Sequence, residues 1–298
     1  MIPLLQSKEI GPFGRVVGED NNAYHAHPAL SKSKLDDFIE SPQFFRGRHI
    51  TREYPREETK ALEVGDMLHK LMELGVEEFD RRYVVSPDFG PLQSSTNRAK
   101  RDKWLADHPG VSLIKQDDRT VVFEMRESLL RHPEIRQLIE NAECEITWRA
   151  KPENLPFAVQ CRTDVHSADG CAFTQRKPYV LDFKSIKNLS HGDFRYLWNR
   201  AYWDYRYFIQ DVFYLSVIGL CGAPADDYTF YFAPVEKEPP YACALFTSDE
   251  IGMGAGRLLI RRAIDGLLRS LEHDEWPTLP TGLHTCTVSP RLLETIIK

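Results

Sequence analysis

Two apolar segments, FAVQCRTDVHSA (157–168) and YVLDFKSI (179–186), constrain this 298-residue chain more than any other feature. Runs of valine, leucine, phenylalanine and isoleucine fit a pleated, covered surface, so each segment predicts a buried strand. The first carries Asp164. The second carries Asp182 and Lys184, two apart and therefore on one face of the strand. A carboxylate and an ammonium on an apolar strand are costly unless something binds them. An isolated D-x-K on a strand is ordinarily a structural ion pair. With Asp164 as a second carboxylate beside it, the set fits a magnesium site for phosphodiester hydrolysis. The carboxylates hold a hard cation, and the lysine sits near the attacking water and the scissile phosphate. The pattern predicts a metal-dependent nuclease.

Two predicted helices add polar groups to the set. ALEVGDMLHKLMELG (61–75) places Leu62, Leu68, Leu71 and Met72 at helical spacing. Gly65 and His69, four apart, stack on one face of this helix. A mid-helix glycine costs roughly 1 kcal/mol relative to alanine, so Gly65 predicts a close approach, with His69 available to complete a metal shell or contact a phosphate. Downstream, RAYWDYRYFIQDVFYLSVIGL belongs to one long helix over 191–220 with Gln210 and Tyr214 a turn apart. Their uncharged hydrogen-bonding groups suit orienting a nucleotide or water; Tyr202, Trp203, Phe208 and Phe213 are assigned to the core.

In order, G-x-x-x-H, a lone Asp, D-x-K and Q-x-x-x-Y, the chain resembles the PD-(D/E)xK nuclease superfamily, in the branch that contains RecE (exonuclease VIII), the RecB nuclease domain and Cas4-type nucleases. LSKSKLDDFIESPQFFRGR also resembles the opening helix of RecE-like phage exonucleases. Asp182 stands where many relatives have glutamate, which RecE-like members tolerate. The resemblance implies Mg²⁺ or Mn²⁺, with Asp164, Asp182, the Phe183 backbone carbonyl and His69 as ligands. Lys184 would orient or deprotonate water, and Gln210 and Tyr214 would position the nucleotide. Glu145 is a possible further acid whose facing the strand pattern leaves ambiguous. The resemblance further implies a double-strand-specific 5′→3′ exonuclease of phage-type homologous recombination. Such an enzyme acts on duplex DNA ends, as a homo-oligomer, with a single-strand-annealing protein as partner. Ser31, Ser33, Arg46 and Arg48 would hold a DNA 5′ phosphate, since hydroxyls at a helix start and arginine forks suit anions. A structure-specific or restriction-type endonuclease of the same fold is the enzymatic alternative. A DNA-binding module without chemistry is the alternative from another class.

The six cysteines form neither a C-x-x-C pair nor a His/Cys cluster, which argues against structural zinc. The downstream cysteine cluster of iron–sulfur-bearing Cas4 and AddB relatives is missing too, so no iron–sulfur cluster is expected. No apolar run approaches the about 20 residues that span a membrane, and the start lacks the features of a signal peptide; a cytoplasmic protein with no membrane partner is expected. The net charge of −6 does not exclude DNA, because a local groove can be basic. RGRHITREYPR (46–56) and NRAKRDK (97–103) are candidate phosphate-tracking segments.

The expected organisation is an irregular N-terminal arm (1–27), a nuclease domain (28–280) and a C-terminal tail (281–298). The fold class is α/β (α+β), with a restriction-endonuclease-like core: a central mixed sheet of about five strands flanked by helices. Its strands are ECEITWRA, FAVQCRTDV, YVLDFKSI, TFYFAPVE and YACALFTS. Residues 83–118 are expected as loops around a short helix near 96–107.

Overall fold

The apolar strand segments form a mixed sheet in the computed structural model, which describes residues 11–54, 60–140, 142–279, 281–283 and 285–286. The spatial order is β1 (Gly14–Val16), β4 (Glu143–Ala150), β5 (Val159–Ser167), β6 (Tyr179–Ile186), β7 (Thr229–Glu236) and β8 (Phe246–Thr247). All neighbours are antiparallel except β6 and β7. A parallel pair needs a long crossover, and helices α8 (Phe194–Asp204) and α9 (Tyr207–Leu220) supply it.

Alternate residues of β6 divide the core. Val180 and Ile186 pack with Phe208, Ile209 and Phe213 of α9, Leu35 and Phe38 of α2 (Lys32–Glu40), and Leu267 of α10 (Glu250–His273). Tyr179, Leu181 and Phe183 pack on the other face, with Leu68 and Leu71 of α4 (Lys60–Arg82) and Met125 and Leu129 of α6 (Gln116–Arg131). The result is a helix–sheet–helix sandwich. Helix α4 bends at Gly75, whose φ of 73° is open to glycine at little cost. The side chain of Leu62 lies outside the described residues.

The architecture departs from the expected one in several places. Residues 14–16 and 21–26 are not irregular: the first form β1 on the edge of β4, and the second form α1 (Asn21–Ala26). YACALFTS pairs with β7 only through Phe246–Thr247 and a lone bridge at Cys243, so it is not a full strand. Between residues 83 and 118, β2 (Tyr83–Val85) and β3 (Ser112–Ile114) pair in parallel around α5 (Ser95–Asp107). The single helix expected over 191–220 is two, because Arg206 adopts a left-handed φ of 52°. Nothing in the aromatic periodicity marks that break.

The N-terminal segment is fastened to the sheet by charge. Arg149 of β4, with no exposed side-chain surface, donates to both oxygens of Glu19 (2.9 and 3.1 Å) and to Gln160. Arg162 of β5 reaches the Glu19 backbone carbonyl at 2.9 Å and Thr147 Oγ1 at 3.0 Å, and lies over the Tyr24 ring. Removing one partner of such a set leaves buried charge uncompensated. Glu19→Ala is therefore expected to destabilise the fold by about 3 kcal/mol, measured by denaturant unfolding. A midpoint equal to wild type would show that the segment contributes nothing to stability.

Candidate active site

The site lies where β5 and β6 part. Their ladder runs from Ser167↔Tyr179 to Val165↔Leu181, and Asp164 and Asp182 are the next residues beyond it. Asp164 Oδ2 instead accepts a hydrogen bond from the Phe183 backbone N–H at 2.7 Å. On the other side of β5, Glu145 of β4 has φ 53°, in the left-handed region that a non-glycine residue rarely adopts. Cys144 packs against one core cluster and Ile146, only two residues on, joins the other. The side-chain alternation is thus reversed at Glu145, which is why its facing could not be read from the strand pattern.

That reversal brings Glu145 beside Asp164 and His69. Single ligand atoms of the three lie within 4.8 Å of one another, and His69 Nδ1 is 3.4 Å from Asp164 Oδ1. They line a cavity of about 180 Å³ together with Asp66, Lys70, Arg162 and Tyr214. Arg162 lies 3.6 Å from Glu145 and so links it to the Glu19 clamp. Helix α4 delivers His69 from one layer while α9 delivers Tyr214 from the other.

Gly65, one turn before His69, lets α4 close on β6: a Cβ there would sit 3.3 Å from Ser185 Oγ. Alanine would need a shift of tenths of an ångström; leucine would displace the helix. Gly65→Leu is expected to abolish divalent-metal binding while Gly65→Ala largely retains it, measured by calorimetric titration with Mn²⁺. Unchanged binding in the leucine variant would reduce Gly65 to ordinary packing.

Asp182 and Lys184 occupy the adjacent part of β6 and face α9. Lys184 forms an ion pair with Asp182, whose other oxygen accepts from the Gln210 amide. Lys184 Nζ lies 5.0 Å from the centre of the Tyr207 ring. Asp182 therefore stands outside the three-residue cluster, held by Lys184 and Gln210. Two residues that the sequence reading did not single out also belong here. The Tyr207 ring lies 5.7 Å from Lys32 Nζ, which ion-pairs with Asp36 (2.7 Å) and donates to the Tyr205 carbonyl (3.2 Å). Only the tertiary fold carries the start of α2 to this place; nothing in SKSK separates Lys32 from a solvated charge.

These buried charges act on one another. Burial, reinforced by Asp164, pushes the Glu145 carboxyl up to about 7. Burial likewise takes Asp182 up to about 6, against the pull of Lys184. For Asp164, burial is outweighed by His69, Lys184 and the Phe183 N–H, which hold it below the usual carboxylate range. Burial opposes the charged imidazole of His69, but Asp164 prevails and raises it to about 9. A positive charge placed among these carboxylates would favour their ionised forms. Two carboxylates and one imidazole, each offering an atom at coordinating separation, fit a divalent metal with a largely oxygen shell, whose binding would release the imidazole proton.

Ser31 caps α2, its hydroxyl 3.1 Å from that of Ser33. Arg46 and Arg48 lie beyond the far end of α2, 3.8 Å from Asp274 and 3.4 Å from Asp37 respectively. The serines thus flank Lys32, and Arg48 pairs with Asp37, one helical turn beyond Ser33. Of the two basic stretches, 97–103 lies on α5, and residues 55 and 56 of the other lie outside the described residues.

A family model described as PDDEXK-like domain of unknown function (DUF3799) matches residues 31–287. Among solved structures, the chain is similar to a candidate exonuclease from Eubacterium rectale, with a TM-score of 0.59 at 11% identity over 93% of this chain and 98% of that one. The structure of SSO0001 aligns with 72% of this chain and 85% of its own at 12% identity, with a TM-score of 0.27. No curated protein matches the sequence. No helix among the described residues is long and apolar enough to cross a membrane.

Proposed function

This chain belongs to the PDDEXK-like domain family of unknown function (DUF3799), and we propose that it is a Mg²⁺- or Mn²⁺-dependent deoxyribonuclease. The observation that carries this reading is the convergence of His69, Glu145 and Asp164 on one cavity, with Lys184 on the neighbouring strand. Glu145, Asp164 and His69 would hold the metal, with Asp182 and the Phe183 carbonyl beside them. When bound, the cation supplies positive charge to the scissile phosphate and acidifies the attacking water.

The chain's own residues do the rest. Lys184, aligned by Asp182, donates to the attacking water and to phosphate oxygens as charge develops. Gln210 fixes the Asp182 carboxylate through its amide, and Tyr214 limits the cavity opposite His69. Asp164, locked by the Phe183 N–H, keeps its free lone pairs directed at the cluster. Such pre-alignment avoids reorganisation during reaction.

Within this reading the substrate is the end of duplex DNA, cut 5′→3′ in a RecE-like, phage-type recombination role. The protein would act as a homo-oligomer together with a single-strand-annealing protein. Ser31 and Ser33 would receive the 5′ phosphate at the start of α2, Arg46 and Arg48 adding positive field from further along. End-labelled linear duplex and covalently closed circular duplex separate this from an endonuclease. Degradation of the linear form alone, slowed when the 5′ phosphate is removed, is the expected result. Cutting of the closed circle would favour the endonuclease.

A further inference from the structure

The sequence reading assigned Trp203 to the core; it is instead 68% exposed, and Tyr196 and Tyr205 are each 64% exposed. The Trp203 ring stacks on Phe208 at 5.5 Å between ring centres yet stays mostly exposed, and exposed rings of this kind offer faces on which bases can stack. Tyr196, Arg200 and Trp203 follow one another at positions i, i+4 and i+7 of α8, so they share a face. Tyr196 and Trp203 are about 10 Å apart along the helix axis, roughly three base-stacking rises of ~3.4 Å.

This row leads into the active site. Tyr205, at the end of α8, has its ring centre 5.6 Å from that of Tyr207. Tyr207 in turn lies against both Lys184 and Lys32. The rings are interleaved with Arg195, Arg200 and Arg206, against Asp193 and Asp204. The Arg200–Asp204 pair is a solvated contact of 3.4 Å, weak enough for a phosphate to displace. Charged groups between the rings break up any continuous apolar patch, which disfavours a second copy of the chain as occupant. Alternating rings and guanidinium groups suit a strand whose bases stack and whose phosphates need positive charge.

We propose that the outer face of α8, with Tyr205, is a stacking platform for single-stranded DNA that leads a strand unpaired at the duplex end toward Lys184. The proposal rests on reading the site as one that acts on DNA, and deepens that reading by naming the form of DNA that α8 holds.

Fluorescence anisotropy of a labelled 15-nucleotide oligo(dT) and of a blunt 15-base-pair duplex, with the full chain in EDTA, tests binding apart from cleavage. The expected result is preference for the single strand, which Trp203→Ala or Tyr205→Ala weakens by about tenfold each. Trp203→Phe, which keeps a stacking ring, is expected to retain most of the affinity, and circular dichroism of each variant confirms folding. Equal affinity for the two DNAs, or alanine variants that bind oligo(dT) like wild type, would overturn the proposal. So would alanine variants that change only the sedimentation coefficient, since α8 would then be a self-association face. If the wild type keeps its single-strand preference yet hydrolyses no DNA with any divalent metal, the nuclease reading fails and the platform stands. Hydrolysis without that preference overturns the platform alone.

Discussion

Asp164→Asn is expected to lower metal-dependent hydrolysis of duplex DNA by about a thousandfold while leaving the fold intact. Asp164 is the one carboxylate shared between the cluster and the strand backbone: one oxygen faces His69 and the other receives the Phe183 N–H. Asparagine keeps the shape and can still accept from Phe183, but it removes the charge that a hard cation requires. Rates on linear duplex, Mn²⁺ titration by calorimetry and thermal unfolding distinguish loss of metal from loss of structure. A variant that retains a near wild-type rate would remove Asp164 from the chemistry.

Lys184→Ala is expected to separate chemistry from metal binding. Its ammonium contacts Asp182 and the Tyr207 ring, and no member of the His69–Glu145–Asp164 cluster is among its ion-pair partners in the described residues. Hydrolysis should fall by roughly 10²–10³-fold, the range for losing one electrostatic donor to a transition state, with Mn²⁺ binding much less affected than in Asp164→Asn. Asp182 is 2% exposed and loses its cation in this variant, so some loss of stability is expected as well. Rates are therefore compared well below the unfolding midpoint. Metal binding lost as completely as in Asp164→Asn would place Lys184 in the metal's support instead.

Much of the sheet was legible because a buried strand announces itself locally as a run of apolar residues. ECEITWRA, YVLDFKSI and TFYFAPVE are β4, β6 and β7 with the same limits. What escaped is what local patterning does not encode. Arg206 and Glu145 both take left-handed backbone without glycine or asparagine to announce it. The first divides a continuous aromatic helix in two. The second reverses a strand's facing and so carries Glu145 into the cluster. β1 owes its place to Arg149 and Arg162 gripping Glu19 from far along the chain, and Lys32 reaches the site only because α2 packs on α9. The ordered motifs suggested a shared site only through the resemblance they carry, and the fold brings His69 and Asp164 together with Lys184 on the next strand. Which carboxylates share the cluster was decided by where β5 leaves β6.

The most direct measurement is release of acid-soluble nucleotide from linear duplex DNA by the purified full chain, followed over time with Mg²⁺, with Mn²⁺ and with EDTA. Steady release with either metal, none in EDTA, and recovery when excess Mg²⁺ is restored is the predicted result. Release that proceeds unchanged in EDTA, or no release with any divalent metal, would contradict it.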